Sequence, residues 1–156
     1  MDDPAISGRP DGLLDGEELL ALVSVRFSAG VPAHIDAPTS PSMYRAAVVQ
    51  RHAYADWAKR ATAIGFPVAG PEMILGATPE RLLVWRPALV RSRPRLFAGA
   101  VPLSRIRRAG VHRRVFASIL TLLFDEGTIV GVETMRGSRL RAFAVAIPTY
   151  TDYRAR

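Results

Sequence analysis

The chain has 156 residues, 49% of them hydrophobic, a formal net charge of +7 and no cysteine. That length and apolar content suit one domain, or one domain with an elaborated arm, able to bury a real core. The missing cysteine excludes disulfide staples and thiolate metal sites and fits a reducing cytosol.

Residues 1–15 hold Asp2, Asp3, Pro4, Gly8, Pro10, Asp11 and Gly12, a composition expected to stay a flexible tail. The opening MDDPAISGRPDG is acidic and has no apolar run, so it does not read as a secretory signal. Over 17–27 the run EELLALVSVRF ends in alternation, with Val23, Val25 and Phe27 on one side and Leu22, Ser24 and Arg26 on the other, which predicts a first strand. Residues 28–41 are rich in proline and glycine and read as loop.

A helix is predicted over 42–64. Ser40 offers an N-cap, and Pro41 suits the first helical position. Met43, Ala47, Tyr54, Trp57, Ala58, Ala61 and Ile64 fall near one stripe, and Gly65 with Pro67 ends it. Tyr54 and Trp57 are candidates for an interaction face, against the plainer alternative that they pack the helix on its own sheet.

Further strands are expected over 72–78, 81–86, 96–101, 105–111, 118–124 and 129–135. Thr78, Pro79 and Glu80 make one compact turn, and Asp125, Glu126 and Gly127 make another. Ser138 can cap a final helix whose Leu140, Phe143, Ala144 and Ile147 form an apolar stripe, limited by Pro148. Residues 151–156 remain as a C-terminal tail. Apolar stretches such as LLALVSVRF and ILTLLF fall short of the roughly 18–20 residues that cross a bilayer, so a soluble cytoplasmic protein is the expectation.

The order MILGATPERLLVWRPALV, a basic proline-containing loop, VPLSRI, and LTLLFDEGTIVGVET before a helix resembles bacterial pleckstrin-homology-like domains, with GRAM-type domains similar. The "T-x-x-R-L" turn of those families corresponds to Thr78, Pro79, Glu80, Arg81 and Leu82. Their "I-P-L-x-x-I" segment corresponds to Val101, Pro102, Leu103, Ser104, Arg105 and Ile106. Their D-G-type turn corresponds to Asp125, Glu126 and Gly127. The resemblance implies a mainly β, α+β domain over 16–150, best matched over 72–148. Its form would be a barrel of two orthogonal antiparallel sheets of about seven strands, with a capping C-terminal helix and the 42–64 helix inserted after the first strand. It implies no catalytic residue. The basic hairpin motif of lipid-binding eukaryotic relatives has no counterpart here.

Catalytic and cofactor signatures are missing from the string. His34, His52 and His112 stand apart, without HxxH or HExxH spacing. No G-x-S-x-G, G-x-G-x-x-G or Walker pattern occurs, so neither an enzyme nor a cofactor or metal is expected.

Charge is the stronger signal. Residues 1–72 carry six basic and nine acidic side chains, and 73–156 carry fifteen and five, giving −3 and +10. All but one of the 21 basic residues are arginine. Arg91, Arg93 and Arg95 alternate, so an extended backbone would project them to one side. Arg105, Arg107, Arg108, Arg113 and Arg114 extend the field. Guanidinium groups grip phosphate bidentately, which makes these eight residues anion-binding candidates. Solubility, or protection of a sheet edge, explains the same charges.

Three functions follow in order of expectation. The first is a non-catalytic binding or scaffolding module that contacts a protein partner or a second copy. The second is a peripheral module on anionic lipid headgroups. Weak phosphate-backbone contact with nucleic acid comes last, because no aromatic platform interleaves with the arginines.

Overall fold

The chain runs β1 (Ala21–Phe27), α1 (Met43–Ala63), β2 (Glu72–Ala77), β3 (Arg81–Pro87), β4 (Pro94–Pro102), β5 (Ile106–Arg113), β6 (Ser118–Phe124), β7 (Ile129–Thr134) and α2 (Ser138–Ala144). This is a computed structural model, which describes residues 10–28, 43–88, 94–114, 117–134 and 138–152. Ser40 and Pro41, the expected cap of α1, lie outside the described residues, as do the side chains of Met43, Ala47 and Ser138.

All seven strands join one antiparallel sheet in the order β4-β3-β2-β1-β7-β6-β5. The mainly β class expected from the apolar pattern is what forms. β1 is the hinge of the arrangement. It pairs with β2 from Ala21↔Ala77 to Arg26↔Glu72, but with β7 only at Arg26↔Glu133 and Phe27↔Val132. One core gathers a side of every strand, including Val25, Leu75, Val84, Val101, Ala109, Leu122 and Val132, and receives Leu140, Phe143 and Ile147 from the α2 region.

The end of α1 is fixed by its own backbone. Phe66 N donates to Ala61 O at 3.0 Å and Gly65 N to Thr62 O at 3.0 Å, the paired bonds of a Schellman stop. Gly65 sits at φ 80°, where a side chain would be strained. The residue after it, Phe66, drops into the core beside Trp57 and Phe124.

β2 and β3 are buried on both faces, which departs from a one-sided sheet. Ile74, Leu83 and Trp85 point away from the main core and are covered by Leu13, Leu19, Leu22 and Ala100. The flexible tail expected over 1–15 is therefore corrected from Asp11 onward. Trp85 Nε1 donates to Asp11 O at 2.7 Å, and Arg81 Nη2 to Gly12 O at 2.9 Å. Strands this apolar need cover on each side, and the leucines before β1 supply it. At the other terminus, Thr151 N donates to Ala109 O at 3.0 Å and Asp152 pairs with Arg141, so these two residues of the expected tail are held to the domain.

A polar lock holds the N-terminal strap down. Glu17 takes Arg81 Nε on Oε1 at 2.9 Å and Arg81 Nη2 on Oε2 at 2.5 Å, while Thr78 Oγ1 donates to Oε1 at 2.9 Å. The Arg81 hydrogen bond, above all, holds the Glu17 carboxyl down from 4.5 to about 2. A depressed carboxylate stabilises the fold above its unfolded value and loses that contribution as pH falls from about 4.5 toward 2. Glu17→Gln should therefore cost about 1–2 kcal/mol at pH 7, and the difference from wild type should shrink at pH 3. Urea denaturation at the two pH values measures this, and an equal difference at both would contradict it.

Candidate functional site

The described candidate anion-binding arginines are dispersed by the fold. Arg91 and Arg93 lie outside the described residues. Arg95 is exposed near the start of β4, one edge of the sheet order, while Arg107, Arg108 and Arg113 belong to β5, the other edge. Arg107 and Arg108 are both exposed because the register with β6 shifts between Ile106 and Arg108. A bulge of that kind breaks the alternation that would have turned one of them inward.

Arg105 belongs to structure instead of to an open anion surface. It ends a 3-10 turn, Leu103–Arg105, where a strand start was expected. Its Nη2 donates to Ile64 O at 2.6 Å and to Glu126 Oε1 at 2.8 Å, and its guanidinium carbon lies 5.8 Å from the Phe124 ring centroid. One side chain thus ties the end of α1 to the β6–β7 turn. Arg105→Ala should lower stability by about 1–2 kcal/mol, read as a shifted urea midpoint at unchanged slope. No change would mean that the α1 terminus is held without it.

The aromatic pair of α1 also resolves toward packing. Trp57 is 3% exposed, and its ring lies 6.0 Å from Phe27 and 6.2 Å from Phe66, centroid to centroid. Its Nε1 donates to Gly131 O at 3.0 Å. Tyr54 is half-buried, stacked on Trp57 at 6.2 Å and tilted against Phe27 at 5.1 Å. Trp57 therefore packs α1 against the sheet and exposes only an edge.

What the fold does assemble is a cleft where α1 meets the far end of β5. Arg60 from α1 joins His112, Arg113 and Arg114, and Trp57, Ile119, Thr121, Ile129, Ser28 and Gly131 complete a concavity of about 480 Å³. Gly131 organises its floor, because its carbonyl accepts from both Ser28 N at 2.9 Å and Trp57 Nε1. None of the described lining residues is acidic. Arg113 and Arg114 were legible as charge, whereas Arg60 was not among the candidate arginines. Nothing in the sequence signals that this helix turn lies beside the end of β5.

Among the described residues, no three His, Asp or Glu side chains gather where they could hold a metal ion. No described helix is long and apolar enough to cross a membrane. No family model matches the chain, and no curated protein matches it either.

Proposed function

We propose that the chain is a non-catalytic binding module of pleckstrin-homology-like architecture, working through contact with another protein surface, in the first instance a second copy of itself. In this reading the two parts of the sheet cross as orthogonal layers, α2 closes one end of a barrel, and α1 is an insertion after the first strand. The observation that supports it most is the unequal pairing of β1, six positions with β2 and two with β7. A strand that passes so abruptly from one neighbour to the other is what a sheet needs in order to fold over itself. The packing of α2 against β1, β5 and β6 is in keeping with a stopper at the open end.

The surface for such a contact is the β4 edge. β4 has nine residues and, among the described residues, one hydrogen-bonded neighbour, β3, and its Leu96 is 56% and Phe97 38% exposed. An unpaired edge beside apolar side chains is a template for strand addition. Sedimentation velocity over about 1–100 µM should show self-association, weakened at least tenfold by Leu96→Asp. A wild-type chain that stays monomeric across that range would remove self-association through this edge.

A further inference from the structure

The arginine-lined cleft is a separate feature from the β4 edge, and its chemistry is more specific. We propose that the cleft between α1 and the end of β5 binds the phosphate group of an organic phosphate, with Arg60, Arg113 and Arg114 holding the phosphate and Ile129 contacting the apolar body beside it.

Three observations carry this. First, the cations converge from two elements remote in sequence, α1 and β5, onto one concavity. Second, they are not neutralised. The ion pairs of the described residues engage Arg26, Arg81, Arg105 and Arg141, and no carboxylate there pairs with Arg60, Arg113 or Arg114. Two other clefts among the described residues differ in this respect. In the one beside β1, Arg26 already faces Glu133 and shares the lining with Glu72; in the second, Arg86 shares the lining with Glu72. Third, Ile129 is 60% exposed although it lines the basic cleft. An isoleucine left open beside guanidinium groups suits a ligand with both an anionic head and an apolar portion.

Guanidinium favours phosphate over a simple halide because its parallel N–H groups match two phosphate oxygens at once. A phosphate monoester carries close to two negative charges at neutral pH, so more than one arginine can be engaged together. The head can come from a soluble metabolite or from a phospholipid, and the chemistry of the cleft is the same for both.

Titration of the full chain with phenyl phosphate and with inorganic phosphate, at constant ionic strength, tests the assignment through amide shifts of Arg113, Thr121 and Gly131 and through Trp57 emission. Both probes should bind saturably, phenyl phosphate the more tightly, and Arg113→Glu/Arg114→Glu should weaken each about tenfold or more. Arg95→Glu/Arg107→Glu makes the same change in net charge away from the cleft and should leave affinity within about twofold. Ile129→Ser should weaken phenyl phosphate alone. Vesicles of phosphatidic acid form the other arm: retention on them that is lost in the cleft variant and kept in the control assigns the same site to a lipid head. The proposal is overturned if neither soluble probe nor vesicle binds, or if the two double variants weaken binding equally, which would leave only a diffuse field. Because the substituted arginines are exposed, an unchanged circular dichroism spectrum is expected and separates lost binding from lost folding.

Discussion

Replacing Trp57 with alanine should destabilise the fold by about 3–5 kcal/mol and lower the thermal midpoint by roughly 10 °C. The indole is the main bridge between α1 and the sheet. It touches Phe27 of β1 and Phe66 beyond the helix, and it donates to the carbonyl of Gly131 in β7. Truncation leaves a void where three elements converge, and rigid strands on one side limit how far the site can collapse. Trp57→Phe separates the two contributions. It keeps most of the packing and removes only the N–H, and Gly131 O still accepts from Ser28 N, so no buried acceptor is orphaned. That variant should cost about 1 kcal/mol, at the low end for a lost hydrogen bond. A loss below about 1 kcal/mol for alanine, measured by urea denaturation, would mean that α1 is not docked on the sheet through this residue.

Much of this architecture could be read from the residues, and the reasons differ by element. β6 was expected over 118–124 and forms over Ser118–Phe124, because a dense apolar run ends abruptly at Asp125 and Gly127 takes the positive φ, 84°, that closes the turn. The end of α1 was marked by Gly65, whose conformation the helix stop requires. The β5 bulge left no trace, since Arg107 and Arg108 look the same in a string whether or not one strand carries an extra residue. The N-terminal strap was misread for a different reason. Its glycines, proline and aspartates dominate the composition, while the informative residues are Leu13 and Leu19, which cover Trp85. Strands that stay apolar without alternation, as MILGA and LLVW do, are themselves the sign that a second face needs cover.

The candidate site shows the same division. Local charge density was visible at Arg113 and Arg114. Their convergence with Arg60 depends on how a helix more than forty residues earlier packs on the sheet, and that is set by Trp57 and Ala61 in the core. Net charge and edge chemistry can nominate cations; only tertiary packing brings them to one place.

Trp85 should prove as costly to truncate as Trp57, with a different signature. It is fully buried between Ile74, Leu83 and the strap, its ring lies 6.0 Å from Phe97, and its Nε1 holds Asp11 O. Trp85→Ala should lose about 3–5 kcal/mol, and hydrogen exchange should accelerate at Glu17 and Leu20, whose amides donate to Leu14 O and Ala77 O. Gly76 tests the packing from the opposite direction. A Cβ there would stand 2.5 Å from Trp85 Cζ3, 2.7 Å from Cη2 and 2.9 Å from Leu19 Cδ1. The leucine can rotate aside, but the indole is pinned by its hydrogen bond, so Gly76→Ala should cost about 1–3 kcal/mol by overpacking. The two changes touch the same atoms and cannot be independent. With the ring removed, the added methyl enters the space it left. Gly76→Ala in the Trp85→Ala background should then cost at least about 1 kcal/mol less than in the wild-type chain, and strictly additive losses would show that the strap and the ring do not meet over this glycine.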